Sequence, residues 1–313
     1  MLTYALERDA RPAYRPFRAE VSGIRRLAPH FVLLTFTGPE FGWFGTDGLD
    51  QRVKLLLPLP HGISDIGADD EDCALTGDWY RRWRELPDGL RNPFRTYTVR
   101  DVRPELGELD VVFVDHGDGG PAAAWLCGCA IGDEVVVVGP DARSLQSAIG
   151  IDWHPGTAGE FLLAGDETAA PAICSILESL PAGTRARAFV EVPSGGDALP
   201  VALPDGAELT WLPRDGGAVG SALEPAVRGW VARHPERVLP ALADVPMTLE
   251  DIDVDVQLLW DSPEVATRGF YAWLAGESAL IKSLRRFLVS EIGVDRGSVA
   301  FMGYWRLGKS EAQ

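Results

Sequence analysis

The sequence predicts a two-part chain, a closed antiparallel β-barrel followed by a parallel-sheet α/β half. Three observations carry this expectation. Roughly the first 140 residues hold several strand-like runs, one short helix and no strand–helix–strand rhythm. Beyond about residue 160, apolar strands alternate with helices, the pattern of a parallel sheet covered on both faces. The chain is 313 residues long, enough for two separate cores.

In chain order, "AEVSGIRRLAPHFVLLTFTG" is β-branched and apolar on both sides of a turn at Ala28–Pro29, so it reads as two strands. "QRVKLLLPLP" is a short strand closed by prolines. Residues 61–93 are polar, acidic and turn-rich, and read as a long loop with one helical turn around "DWYRRWREL". "RTYTVRDVR", "ELDVVFVDH" and "DEVVVVGP" are strands. "PAAAWLCGCA" is a short helix with Pro121 in its first turn, where the missing N–H costs nothing. Residues 144–156 read as a linker out of the barrel.

In the second half "EFLLAGDET" is a strand with a Gly/Asp turn and "AAPAICSILESL" a helix. "RARAFVEV", "ELTWLPR" and "VQLLWDSP" are strands, and "GSALEPAVRGWVARH" is a helix within the poorly patterned 215–250 region. "FYAWLAGESALIKSLRRFLVSEIG" is a strand running into a long helix, and "SVAFMGYW" is the last strand.

Composition narrows the function classes. Hydrophobic content of 46% and charged content of 24% describe a soluble globular chain. No apolar run reaches the roughly 18–20 residues that span a bilayer, and the first residues lack the apolar stretch of a signal peptide, so the expected location is the cytoplasm. The formal net charge of −17 disfavours nucleic acid and anionic lipid, while leaving room for an anionic small ligand in a locally basic cleft. Cys73, Cys127, Cys129 and Cys174 are too few for a disulfide framework, and "CGC" is too tight for a zinc pair, so they are expected as small buried hydrophobes. The five histidines form no metal signature, and no metal site is expected.

Four stretches could carry chemistry. In "RNPFRTYTVR", Arg95, Tyr97 and Val99 share one strand face and Thr96, Thr98 and Arg100 the other. A cation beside an aromatic plate suits a ligand with a phosphate and a flat ring, and equally suits an Arg–Tyr rung on a solvated sheet. "VDHGDGGPAAAWL" puts glycines before a helix start, which lets backbone N–H groups approach phosphate or simply turns a hairpin. "LLAGDETAAPAI" ends a strand and starts a helix near Thr168, which is either a helix cap or a ligand contact. The G-x-G-x-x-G fingerprint is absent. The last pair is "WLAGESALIKSLRRFL" and "FMGYWRLG". Arg285 and Arg286 suit the helix C-terminus, and Tyr304 and Trp305 either plug a core or cover a planar ligand.

Taken together, "RTYTVR", "FVDHGDGGPAAAW", "GDETAAPAI", "AGES" with "LRRFL", and "GYWRLG", in that order from about Arg18 to Gly308, resemble the siderophore-interacting proteins. These are FAD-dependent ferric-siderophore reductases of the ferredoxin–NADP reductase superfamily. The resemblance implies an FAD-binding barrel over residues 1–148 and an NAD(P)H-binding α/β domain over 149–313. It implies that Arg95 pairs with the FAD diphosphate, that Tyr97 stacks on the isoalloxazine, and that Thr98 lies near flavin N5 with a hydroxyl or backbone hydrogen bond. Thr96, Val99 and Arg100 would continue along the cofactor. Asp115, His116 and Gly117 would border the flavin or its ribityl chain. The turn Gly119, Gly120, Pro121, Ala122, Ala123 would present N–H groups to the diphosphate. The family commonly has a small hydroxyl residue where this chain has Ala123, so one side-chain bond to phosphate is missing.

By the same resemblance, Asp166, Glu167 and Thr168 approach the nicotinamide, with Ala275, Gly276 and Glu277 forming the matching turn one strand over, and Trp305 covering cofactor. Arg185, Arg187 and Arg214 are candidates for a 2′-phosphate clamp, leaving NADPH or NADH open. Lys54 and Arg306 would attract an anionic ferric siderophore. The implied chemistry is hydride delivery from NAD(P)H to the flavin, then single electrons to Fe(III), with a monomer as the working unit. Two other readings stay open at this stage. One is a flavin reductase with another acceptor, such as a quinone, free flavin or ferredoxin. The other is a non-catalytic siderophore-binding protein.

Overall fold

The computed structural model describes residues 6–308 except 46, 118–119, 246–248, 250–251, 255–256 and 258. The chain divides into two compact units, the first running to Ile151 and the second beginning at Asp152.

The first unit is built on β1 (Tyr14–Ala28), β2 (Phe31–Thr37), β3 (Arg52–Leu56), helices α1 (Glu71–Thr76) and α2 (Trp79–Glu85), then β4 (Phe94–Arg103), β5 (Glu108–Val114), α3 (Pro121–Gly128) and β6 (Glu134–Pro140). The strands close into a barrel in the order β1-β2-β5-β4-β3-β6, and every pairing is antiparallel. Closure leaves no exposed sheet edge. Alternation sends Phe17, Leu34, Phe36, Val53, Leu55, Val111, Phe113 and Val137 into the core, with Phe41 and Phe44 packed on Phe17.

The segment 61–93 is more helical than the sequence predicts. Asp70 caps α1 by accepting from the Asp72 N–H at 2.9 Å, and Gly77 ends it in the left-handed region. α2 then buries Trp83, whose indole N–H donates to the Asn92 carbonyl at 2.8 Å, against Leu56, Phe94 and Val138 on the outside of the barrel. Two helices of six and seven residues leave too little periodicity to read from sequence.

The second unit contains β7 (Glu160–Gly165), α4 (Ala170–Ser179), β8 (Arg185–Val192), β9 (Ala207–Pro213), α5 (Leu223–Arg233), α6 (Pro235–Val238), β10 (Trp260–Asp261), β11 (Phe270–Glu277), α7 (Ser278–Arg285) and β12 (Val299–Trp305). Its sheet order is β10-β12-β11-β7-β8-β9, parallel except for the two-residue edge strand β10. The central strands β7 and β11 are buried along their whole length, as expected when both faces are covered. The chain runs β7, β8, β9 to one side and then crosses to β11 and β12 on the other. The order therefore reverses between β7 and β11, and the carboxyl ends at such a reversal are where open α/β sheets form their ligand crevice.

The fold class read from the sequence is the one found, with differences of detail. The strand expected from "VQLLWDSP" reduces to Trp260–Asp261, while Val256 and Leu258 lie outside the described residues. The long helix after β11 is α-helical only to Arg285 and continues as a π-helix over Arg286–Ile292. Cys73 and Cys174 are buried as expected, but Cys127 is exposed and Cys129 half-buried, because α3 buries none of its residues. Among the described residues no helix is long and apolar enough to cross a membrane.

Candidate functional site

On the barrel, the period of two along β4 places Arg95, Tyr97 and Val99 on the face that also carries Leu55 and Val53, their partners in β3. The Tyr97 ring lies 4.2 Å from that of Phe113, tilted by 40°, and the Trp125 indole of α3 lies 5.8 Å from Phe113 on the same cluster. Tyr97 is only partly buried, so part of its ring is available. Thr96 and Thr98 turn to the opposite face, where Thr96 Oγ1 lies 3.2 Å from Lys54 Nζ and Lys54 sits 4.6 Å over the Phe94 ring. Thr98 is buried there, 6% exposed.

Arg95 differs from most arginines of this acidic chain. Arg15, Arg18, Arg26, Arg103 and Arg143 are each held by a carboxylate. Half-buried Arg95 donates to the neighbouring Phe94 carbonyl at 2.7 Å and has no carboxylate partner among the described residues. A second uncompensated group belongs to the Phe113 cluster that Tyr97 packs on. The Trp125 indole N–H is shielded from solvent and has no hydrogen-bond acceptor among the described residues. Both observations fit a bound group that brings negative charge and acceptors, as FAD does.

The Gly-rich turn supports the same fit. Gly120 has φ of 91°, open to glycine alone, and leads into α3 with Pro121 in the first turn. Pro121 has no N–H to offer, and the Ala124 N–H is taken by the Gly120 carbonyl, so the donors left in the first turn are Ala122 and Ala123. Gly119 lies outside the described residues. Asp115 is engaged with Arg26 at 2.6 Å and accepts from the Gly117 N–H at 3.1 Å, and the Arg26 contact holds its carboxyl below the usual range. Asp115 thus fixes the turn. His116 and Gly117 are exposed beside it, and Arg100 is half-exposed further along β4.

In the second unit the carboxyl ends of β7 and β11 are tied together by Asp166. Its carboxylate is fully buried and accepts from the Thr168 N–H at 2.9 Å, the Thr168 hydroxyl at 2.5 Å, the Glu277 N–H at 2.7 Å and the Trp305 indole N–H at 2.8 Å. Burial, together with the charge of Glu167, pushes its pKa up to about 6, against the pull of those donors. Gly276 has φ of +149°, and a Cβ there would stand 2.6 Å from a carboxylate oxygen of Asp166. Thr168 is therefore bound to Asp166 and does not cap α4, whose N-cap is Ala169 with no side-chain bond. Ala275, Gly276 and Glu277 form no turn. They end β11, and Glu277 caps α7 by accepting from the Ala279 and Leu280 N–H groups at 2.8 and 2.9 Å.

The three proposed phosphate-clamp arginines do not converge. Arg214, at the carboxyl end of β9, is held by both oxygens of buried Glu167 at 2.6 Å each. Arg187 pairs with Glu208 and Thr210, and Arg185, at the opposite end of β8, pairs with Glu160 at 2.9 Å. Glu191 escaped the sequence reading. It is fully buried and accepts from the N–H groups of Gly220, Ala222 and Leu223, holding the start of α5 from 29–32 residues away. Nothing local in "FVEVPSG" marks that role. Trp125 also went unremarked as an individual residue, since its significance rests on an unmet donor. Arg306 donates to the Val254 carbonyl at 2.8 Å.

A closed barrel followed by a doubly wound sheet is the ferredoxin-reductase-like architecture. Residues 20–144 match the siderophore-interacting FAD-binding domain and residues 158–308 the siderophore-interacting protein model, and the chain belongs to the siderophore-interacting protein family. It is 30% identical over 288 residues to the ferric vibriobactin reductase ViuB of Vibrio cholerae, covering 91% of this chain and 87% of that one. The structure of a siderophore utilization protein from T. fusca matches with TM-score 0.67 and 26% identity over 97% of both chains. The siderophore-interacting protein SipS from Aeromonas hydrophila matches with TM-score 0.65 and 28% identity, over 96% of this chain and 94% of that one.

Proposed function

We propose that this chain is an FAD-dependent reductase that passes electrons from NAD(P)H to Fe(III) held in a siderophore and so releases Fe(II). The observation that carries the reading is Arg95, a half-buried guanidinium without a carboxylate partner among the described residues, on the same strand face as Tyr97. In a chain of net charge −17, where many arginines are already held by carboxylates, a guanidinium that donates only to a backbone carbonyl keeps donors for a ligand anion. The similarity to a ferric vibriobactin reductase supplies the reaction class.

In this reading residues 1–148 form the flavin domain and 149–313 the nucleotide domain. Arg95 and the N–H groups of Ala122 and Ala123 hold the diphosphate, and Tyr97 lies against the ring system. Since strand alternation puts the Thr98 side chain on the opposite face from Tyr97, Thr98 acts through its backbone. Thr96, Val99, Arg100, His116 and the turn from Gly117 to Pro121 border the cofactor, and Asp115 fixes that turn. Held there, FAD would supply the conversion of a nicotinamide's electron pair into single electrons, one nicotinamide serving two ferric ions. Hard oxygen chelators hold Fe(II) less well than Fe(III), so reduction frees the metal. Asp166, Thr168, Gly276 and Trp305 shape the nicotinamide end of the crevice, while Ala275, Glu167 and Glu277 support it. Lys54 on the barrel is a proposed contact for an anionic chelate, and Arg306 is a second. The protein works as a monomer in the cytoplasm, where the nicotinamide pool is.

The test is spectroscopic. Purified protein supplied with FAD is expected to be yellow, to bleach with NADH or NADPH without oxygen, and to regain colour when a ferric siderophore is added and Fe(II) appears. A protein that stays colourless after reconstitution overturns the reading. Bleaching without ferric turnover keeps the flavin and removes the siderophore as acceptor.

A further inference from the structure

We propose that the second unit takes NADH in preference to NADPH, an inference that rests on the nicotinamide part of the reading above. The two nucleotides differ by one phosphate on the adenosine ribose, which carries about −1.5 to −2 charges near neutral pH. A site that selects NADPH must present a cation to that phosphate, whereas a ribose diol needs none. In doubly wound sheets the nucleotide lies across the carboxyl ends at the point where the strand order reverses, with its adenosine ribose by the end of the neighbouring strand. Here the reversal falls between β7 and β11, and the neighbouring strand is β8.

The carboxyl edge on that side has little positive charge to give. Between Arg187 and Arg214 the sequence contains no lysine or arginine. The loop that follows β8, residues 193–206, carries Asp197 and Asp205 as its only charged residues. Asp197 is fully buried and accepts from the Ser194 N–H and hydroxyl at 3.0 and 2.7 Å, so it holds the loop closed on itself. The next cation along, Arg214, is gripped by both oxygens of Glu167 and lies 3.8 Å from Glu191, and these bonds raise its pKa further. Freeing it for a phosphate would break the two-bond ion pair it makes with fully buried Glu167. Arg187 lies within β8 and is engaged by Glu208 and Thr210, and Arg185 is at the wrong end of the strand. Asp166 and Glu191, fully buried at the same edge, are acidic as well, so beyond the engaged Arg214 the edge offers an added dianion no counter-charge.

Calorimetric titration of the FAD-loaded protein with NAD⁺, NADP⁺, ADP and 2′,5′-ADP tests this. NAD⁺ is expected to bind at least about tenfold more tightly than NADP⁺, and the 2′-phosphate of 2′,5′-ADP to add nothing. NADP⁺ binding as tightly as NAD⁺, or more tightly, overturns the preference and leaves the nicotinamide reading standing. Binding of neither, with no bleaching by either reduced form, overturns both. A gain-of-function variant locates the determinant. Gly195 has no heavy atom within 4 Å of an added Cβ and does not need the left-handed region. Gly195→Arg is expected to move the ratio of dissociation constants towards NADP⁺ by about tenfold. An unchanged ratio in a folded variant overturns the assignment of the loop after β8 as the seat of the ribose.

Discussion

The indole N–H of Trp305 donates to a carboxylate oxygen of Asp166 at 2.8 Å, joining the last strand of the sheet to the turn after its first strand. The two residues are 139 positions apart, and the bond crosses the carboxyl edge where the strand order reverses. A buried carboxylate needs its donors, and this is one of four. Trp305→Phe keeps an aromatic ring and removes only that donor. It is expected to destabilise the second unit by about 1.5–3 kcal/mol, the usual range for a bond to a charged group. Urea unfolding followed by circular dichroism checks it, and an unchanged midpoint would mean that solvent replaces the indole.

Gly276 faces the same carboxylate from β11. Its φ of +149° is unfavourable for any side chain, and an added Cβ would come within 2.6 Å of Asp166 Oδ2. Gly276→Ala is therefore expected to cost about 2 kcal/mol or more, through backbone strain and displacement of Asp166. Gly195→Ala, placed in open space, is the matched control and should stay within about 0.5 kcal/mol of the parent. Equal effects of the two variants would remove the close approach as the reason for a glycine at 276.

Asp166 also gives a pH dependence with a definite sign. Its pKa in the folded chain is raised from 3.8 to about 6, so between those values the folded state binds a proton that the unfolded state does not. Its contribution to stability is therefore gained as pH falls from about 6 towards 3.8 and lost as pH rises through about 6. Asp115 and Asp69 act the other way. Their pKa values are lowered by Arg26 and Arg18, and they lose stabilisation only below the ordinary carboxylate range. Unfolding free energies at pH 7 and pH 5 should thus favour pH 5 for the parent, relative to the same pair for Asp166→Asn. Parallel pH profiles for the two proteins would contradict the raised pKa.

These effects mark where sequence reading stops. The six barrel strands were legible because alternation along them is regular and their turns carry proline and glycine, as at Ala28–Pro29. The shared face of Arg95 and Tyr97 was legible for the same reason, since a period of two fixes it wherever the strand lies. Residues 70–85 were legible only in part: a helical turn around "DWYRRWREL" was expected and is α2, whereas α1 and the docking of Trp83 were not. Their two helices are short and polar, and Trp83 docks onto a barrel surface that exists only after folding. The turn Asp166–Thr168 was found from its place after an apolar strand, but not the partners of Asp166. Thr168 is local, whereas Glu277 and Trp305 are brought in by the sheet order. Glu191 and Arg214 belong to the same case. Each looks like a strand-end charge, and only the fold shows one holding α5 and the other neutralising Glu167.

Arg95 and Tyr97 carry the proposed flavin site, and each can be tested without turnover. Arg95→Ala removes a charge-assisted contact to the diphosphate and should weaken FAD binding by about 10–100-fold, the equivalent of about 1.5–3 kcal/mol. Tyr97→Ala removes the ring and also leaves a gap beside Phe113, so its folded state must be checked by circular dichroism before its affinity is read. Arg18→Ala is the control. That residue is a half-exposed guanidinium on the same barrel, paired with Asp69 at 2.6 Å, and its loss should leave the affinity as it was. Fluorescence quenching of FAD by apoprotein gives the dissociation constants directly. If Arg95→Ala binds as tightly as Arg18→Ala, Arg95 contributes no phosphate contact, and its lack of a carboxylate partner then has no explanation in flavin binding.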